Sequence, residues 1–175
     1  MFVQLTGGQF QIDERDWTRL CGLKWRFTNN GLRSSITRQV VKGGRIQNRC
    51  IYHDILGIEP SRRNPVDHIN GDPLDNRRCN LRLATPRLNA ANRGPQRNNA
   101  SRYKGVSKTP AGRFSARIKD GVKVRRIGNF ATEAEAALAY DAAARAAFGQ
   151  YAWLNSDHFS ELHQDKGHDH VRHSR

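Results

Sequence analysis

The sequence predicts an α+β chain, and three observations predict it. Short alternating runs separated by Gly- and Asn-marked turns fill the chain as far as Pro60. A polar segment follows in which Asp67, His68, Asn80 and Asn89 fall on a strand, a loop, a second strand and a short helix in turn. Last come three strand-like runs and an Ala-rich helix that starts with Thr132 and Glu135 at capping-box spacing.

Each element has its own signal. Residues 2–5 and 9–12 flank Thr6-Gly7-Gly8 and read as a hairpin. Residues 13–21 read as a helix with Asp13 as N-cap and Trp17, Leu20 and Cys21 on one face. A second hairpin is expected from 23–28 and 32–40 around Asn29-Asn30-Gly31. Residues 45–50 read as a strand, and 51–56 as a short helix ended by Gly57. Ser61 to Pro65 is a polar break, and Gly94 to Asn99, rich in Gly, Pro and Asn, reads as an exposed linker. Strands are then expected near 102–108, 113–119 and 122–130, with Asp120-Gly121 as the hairpin turn. The final helix runs to Phe148, and Gly149 stops it. The division this implies is 1–60, a strand-rich N-terminal part; 61–93, the polar core; 94–100, a linker; 101–155, the sheet and helix; and 156–175, a His-rich polar tail expected to be disordered.

Charge narrows the function. The 175 residues carry 30 Lys and Arg against 16 Asp and Glu, a formal net charge of +14. From Arg82 to Arg126 there are thirteen cations and one acid, Asp120. A solvated surface intersperses the signs, so this run points to a polyanion. No long basic amphipathic helix accompanies it, which argues against a membrane surface. Cys21, Cys50 and Cys79 are widely spaced and odd in number, as reduced thiols are. The start shows no secretion signal and no apolar run reaches membrane-spanning length, so a soluble, cytoplasmic protein is expected. Before Ser61, the cations Arg33, Arg38, Lys42, Arg45 and Arg49 are candidates for phosphate contact.

Asp67-His68-Ile69-Asn70-Gly71-Asp72 with Leu74-Asp75-Asn76-Arg77, then Asn80-Leu81-Arg82 and Asn89, resembles the HNH homing-type endonucleases of phage genomes. The resemblance covers roughly residues 50–93 and implies a ββα-metal fold: two strands joined by a loop, then a helix that completes the metal site. His68 is then the general base, because an imidazole titrates near neutral pH. Asp67 and Asn89 are the metal ligands, Asn89 lying on a helix that Thr85 caps and Pro86 opens. Two oxygen donors favour Mg²⁺, with Mn²⁺ as the other choice. Asn80 braces the loop and fixes the ring of His68. Asn92, one turn on, is a rival ligand or a helix-end contact, and His53 a lesser candidate for touching phosphate. Asp67 and His68 are neighbours, so the strand has to end or twist at His68 for both to serve one site. A calcium loop is excluded because Ile69 and Gly71 would occupy ligand positions.

The C-terminal part carries a second likeness. Ser101-Arg102-Tyr103-Lys104-Gly105-Val106, Gly112-Arg113-Phe114-Ser115-Ala116-Arg117-Ile118, Ile127-Gly128-Asn129-Phe130 and Trp153-Leu154-Asn155 resemble the APETALA2-type DNA-binding domain, from Ser101 to Asn155. That likeness implies a sheet laid in the major groove. Alternation gives the same picture: Arg113, Ser115, Arg117 and Lys119 on one face of the second strand, Phe114, Ala116 and Ile118 on the other, against Ala136, Tyr140, Ala144 and Phe148. Ser107, Thr109, Ala111 and Arg126 depart from the family pattern, so a plant-type target sequence is not carried over.

The DNA-binding candidates are Lys104, Ser107, Lys108, Arg113, Arg117, Lys119 and Arg126, with Arg82, Arg87 and Arg93 beside the core. The expected protein is a metal-dependent endonuclease that binds double-stranded DNA as a monomer and nicks one strand per event. It uses no nucleotide cofactor and no membrane. The rival reading is a DNA-binding regulator with a decayed nuclease core; structured-RNA binding is weaker, since exposed stacking aromatics are few.

Overall fold

The computed structural model describes residues 1–29, 31, 33–96, 99–121 and 123–159. Those residues form two units, one ending at Asn92 and one beginning at Arg93. Mixed helix and strand in both units give the α+β class.

In the first unit, β1 (Phe2–Leu5) and β2 (Gly8–Gln11) form the expected antiparallel hairpin. Gly8 is required there: a Cβ would come within 2.5 Å of the Phe27 ring. Next come α1 (Glu14–Leu20) and the sheet β3 (Arg26–Asn29), β4 (Ser34–Lys42), β5 (Arg45–Cys50), in that spatial order. Helix α2 (Ile51–Leu56) ends on left-handed Gly57. The short pair β6 (Val66–His68) and β7 (Leu81–Leu83) then leads into α3 (Pro86–Ala91). The core gathers Val3, Phe10, Ile12, Leu20, Trp25, Ile36, Ile51, Ile55 and Leu81, drawn from β1, β2, α1, β4, α2, β7 and the chain between them. The strand-rich N-terminal part therefore supplies the packing on which the β6–β7 pair rests.

One cap differs from expectation. Asp13 precedes α1, but its side chain makes no capping bond; Oδ2 accepts from the Arg78 backbone N–H at 2.8 Å instead. Asp16, buried on α1, takes both Nε and Nη2 of Arg78 at 2.7 and 2.8 Å. The Arg78 guanidinium, followed by the hydrogen bond from Arg19, holds the Asp16 carboxyl below its ordinary value against the opposing effect of burial. These bonds tie α1 to the segment just before β7.

The second unit orders its antiparallel sheet β10 (Lys123–Phe130), β9 (Phe114–Asp120), β8 (Val106–Lys108) against α4 (Glu133–Phe148). The Thr132/Glu135 capping box is present in full. The expected first strand is shorter at its start, because Gly105 holds φ +76° where Tyr140 and the Arg117 carbonyl close in. Asp120 pairs with Lys123, so the turn begins at Gly121, one residue later than expected. A bulge between Arg126 and Gly128 re-aims the strand, so that Ile127 and Phe130 both pack on the core while Arg125 stays exposed. Ala136, Tyr140, Ala144 and Phe148 are all buried, as their stripe requires. Asn155, fully buried, accepts from Lys104 N and donates to Asp141, locking the chain after α4 to the approach of β8.

Asn30, Leu32, Arg97, Asn98, Val122 and the tail histidines His163, His168, His170 and His173 lie outside the described residues. None of the described helices is long and apolar enough to cross a membrane.

Candidate active site

Strand β6 ends at His68, which meets the demand that adjacency placed on it. Asp67 and His68 then face different neighbours. Asp67 is 4% exposed and lies opposite Arg82 in the β6–β7 ladder. Its Oδ2 accepts from Arg82 Nε at 2.8 Å and lies 2.8 Å from Nη2 as an ion pair, and its Oδ1 accepts from Asn92 Nδ2 at 3.1 Å. Arg82, expected on DNA, is thus spent on the carboxylate of its own unit. The sequence reading missed this pairing, although the two residues are register partners.

His68 is half-buried, edge-on to Tyr52 with ring centroids 5.6 Å apart. Its Nε2 lies 3.3 Å from Asn76 Oδ1. A carboxamide oxygen only accepts, so Nε2 carries the proton and Nδ1 keeps the lone pair. Burial lowers the pKa of His68 from its ordinary value, against the opposing pull of the Asn76 bond and of Asp67, Asp72 and Asp75. The ring is therefore neutral at neutral pH, as a general base has to be.

Asn80 does something narrower than expected. It is buried, accepts from Asn70 N at 2.9 Å, and donates to Asn70 Oδ1 at 2.9 Å and the Asp75 carbonyl at 2.8 Å. It braces the loop; the ring of His68 is held by Asn76. Asn76 is itself fixed from the N-terminal hairpin, since its N–H donates to Gln11 O at 2.8 Å and Gln11 N donates to Leu74 O at 2.8 Å. Asp75, 2% exposed, takes a two-point bond from Arg77 at 2.8 and 2.7 Å. Nothing in the spacing of the motif singled Asn76 out beyond its place within it.

Helix α3 carries Asn89 and is followed by Asn92. Thr85 accepts from Leu88 N and Pro86 opens the helix, as the sequence indicates. Asn92, 8% exposed, donates to the His68 carbonyl at 2.7 Å as well as to Asp67, joining the helix end to β6. Asn89 is half-buried, and its carboxamide makes no hydrogen bond among the described residues. The rival ligand is thus engaged as a donor, while the expected ligand keeps its oxygen uncommitted.

The donor set fits a hard cation. A carboxylate offers about four lone-pair sites, and two N–H groups, Arg82 Nε and Asn92 Nδ2, occupy those of Asp67, leaving about two, while Asn89 keeps an uncommitted carboxamide oxygen. Among the described residues no group of three or more His, Cys, Asp or Glu could hold a metal, so softer tetrahedral sites find no support.

The basic candidates separate by face. Register puts Arg117 beside Arg126, Lys119 beside Val124, and Ser107, Ser115 and Asn129 in one row, all away from α4. Arg117, Lys119, Arg126 and Ser107 are exposed there; Ser115 is 1% exposed. Lys108 differs: it aligns with Phe114 and so lies on the helix side of the sheet, at its exposed end. Arg113 is exposed just before β9 and donates to Asn129 O at 3.3 Å. Lys104 is half-buried, and burial, with Arg93 adding, lowers its pKa to about 8, which still leaves it mostly charged at neutral pH. Arg87 on α3 and Arg93 at the start of the second unit are exposed. In the first unit, Arg38 and Arg49 bind Asp54, and Lys42 and Arg49 bind Glu59, so three of the five expected phosphate contacts have carboxylate partners. His53 sits half-buried beside Tyr52.

With this geometry in view, the relatives are informative. Residues 56–91 match a family model described as HNH endonuclease. An uncharacterized HNH endonuclease of Acanthamoeba polyphaga mimivirus is 38% identical over 95 residues, 54% of this chain and 48% of that protein. Dehydration-responsive element-binding protein 2E of Oryza sativa is 42% identical over 81 residues, 45% of this chain and 25% of its own. Ethylene-responsive transcription factor 3 of Nicotiana tabacum is 50% identical over 56 residues, 31% of this chain and 25% of its own. The chain therefore spans about half the length of the viral relative and about a quarter of the plant ones. No solved structure matches it. By these matches the chain carries a segment similar to HNH endonucleases and a C-terminal region similar to APETALA2/ERF-type DNA-binding proteins.

Proposed function

We propose that this protein is a metal-dependent DNA endonuclease that hydrolyses one phosphodiester per event, directed by its C-terminal sheet. In this reading residues 1–60 are the scaffold of a catalytic domain whose core is 61–93. Residues 94–100 link it to a targeting domain at 101–155. The observation that carries the reading is the imidazole of His68, held through Nε2 by Asn76 Oδ1, on the residue next in the chain to the buried carboxylate of Asp67.

His68 Nδ1 takes the proton of the attacking water. Asn76 keeps that nitrogen unprotonated by holding the other, and Asn80 keeps the loop that carries Asn76 in shape. Asp67 and Asn89 would hold Mg²⁺ or Mn²⁺, which when bound supplies positive charge to the leaving 3′ oxygen. Arg82 and Asn92 orient Asp67. Arg117, Lys119 and Arg126, with Ser107, supply the groove-facing surface of the targeting domain, and Arg87 and Arg93 meet phosphate. Duplex DNA is the partner, bound by a monomer.

The buried Asp67–Arg82 pair favours one rival, a DNA-binding regulator whose carboxylate serves only structure. Incubating the full chain with supercoiled plasmid carrying the DNA that flanks its gene separates the two. Nicking with Mg²⁺, abolished by EDTA and by His68→Ala, is the expected result. Equal nicking by His68→Ala, or none by wild type, overturns the proposal.

A further inference from the structure

The hairpin formed by β4 and β5 has a face that neither the core nor the nuclease reading uses. Residues 41–48 are all exposed, so its distal half stands clear of the first unit. Register places Val41 opposite Ile46 and Gln39 opposite Asn48 on one face, and Arg38 opposite Arg49 on the other. The second face is anchored, because Arg38 and Arg49 both bind Asp54 of α2. The first is not. Val41 and Ile46 are 73% and 68% exposed, and Gln39 and Asn48 make no side-chain hydrogen bond among the described residues. Gly43 and Gly44, at φ +58° and +72°, close the hairpin in the tight twisted turn that keeps such a ribbon stiff.

Exposing two β-branched side chains as a pair at a hairpin end is costly to solubility and invites association. The residues around them indicate the occupant. From Ser34 to Cys50 there is no Asp or Glu and there are four cations; Arg38, Lys42 and Arg49 pair with Asp54 and Glu59, while Arg45, exposed at the turn, has no ion-pair partner among the described residues. A two-stranded ribbon fits the major groove. There, carboxamides pair with the N6 and N7 edge of adenine, and aliphatic groups pack on the thymine methyl. A face made of Gln39, Asn48, Val41 and Ile46 carries both chemistries and nothing suited to guanine. We propose that this face is a second reading surface, entering the major groove of duplex DNA over an A·T-rich stretch, with Arg45 at the turn meeting phosphate. The proposal rests on the reading of duplex DNA as the partner, not on the hydrolysis itself.

Selection of the full chain against a randomised duplex pool, in EDTA so that no strand is cut, tests it. The expected result is two separated sequence blocks, one of them A·T-rich, with Gln39→Ala/Asn48→Ala erasing the A·T block alone. On the selected duplex, uracil for thymine in that block should weaken wild-type binding several-fold, and 7-deazaadenine on the order of tenfold. Val41→Ser/Ile46→Ser should lose the response to uracil. These four positions are exposed, and the base analogues need no variant, so folding does not confound the outcome. A pool with no A·T block, or a block untouched by both double variants, overturns the proposal even where the plasmid is still nicked. So does a wild-type dimer that Val41→Ser/Ile46→Ser turns into a monomer in sedimentation without altering the selected sequence, which makes the face a contact between copies. Failure of wild type to select any duplex removes the DNA reading and this proposal together.

Discussion

Arg82→Ala separates two roles that one arginine could play. On DNA, its loss would leave the fold intact, weaken binding across sequences and lower the salt slope by about one. In the structure both Nε and Nη2 lie 2.8 Å from Asp67 Oδ2, with the aspartate 4% exposed and the arginine side chain 12% exposed. Removing one partner of a buried pair costs about 3–5 kcal/mol. Asn92 still donates to Oδ1, and a single such bond offsets about 1 kcal/mol, so a net loss of about 3 kcal/mol is expected. For a unit of this size that is a fall of roughly 12–24 °C in the midpoint of its transition. Thermal unfolding of the full chain by calorimetry reads it. Adding Asp67→Asn to Arg82→Ala should recover part of the loss, because a neutral amide costs less to bury than an unpaired carboxylate. A change under about 0.5 kcal/mol in Arg82→Ala, or no recovery in the double variant, refutes the reasoning and returns Arg82 to the DNA surface.

The nicking rate should rise with pH on its acid limb and level off before neutrality. Burial, the main effect on His68, lowers its pKa from the ordinary 6.5, and the base works only when unprotonated; a limb centred above pH 7 contradicts this. Asn76→Ala should lower the plateau about tenfold or more while leaving substrate affinity unchanged, since it frees the wrong tautomer without touching DNA. Gly105→Ala should cost the second unit at least about 2 kcal/mol, from the left-handed backbone together with a Cβ that would overlap the Tyr140 ring. Unfolding of that unit at the wild-type midpoint would show the position to be tolerant.

The local devices were legible in the sequence because they depend on neighbours in the chain. The Thr132/Glu135 box, the Gly57 stop, the Thr85–Pro86 helix start and the alternation of β9 all follow from spacing. What the sequence hid depends on register or on distant chain. Asp13 looks like a cap until Arg78, far along the chain, takes its carboxylate. Arg82 reads as one cation in a basic run until the β6–β7 ladder sets it against Asp67. Asn76 holds His68 only because Gln11 of the first hairpin pins Leu74 and Asn76, a contact that no local spacing announces. Lys108 changes face for a simpler reason: its place follows from pairing with Phe114, which alternation within β9 alone does not fix.

Anomalous diffraction from crystals of the full chain soaked in Mn²⁺ addresses the site most directly. A single peak is predicted about 2.0–2.3 Å from an oxygen of Asp67 and from Oδ1 of Asn89, with Nδ1 of His68 turned to the same side. A peak that leaves Asn89 unliganded, or none near Asp67 while the Arg82 pair persists, would contradict the account.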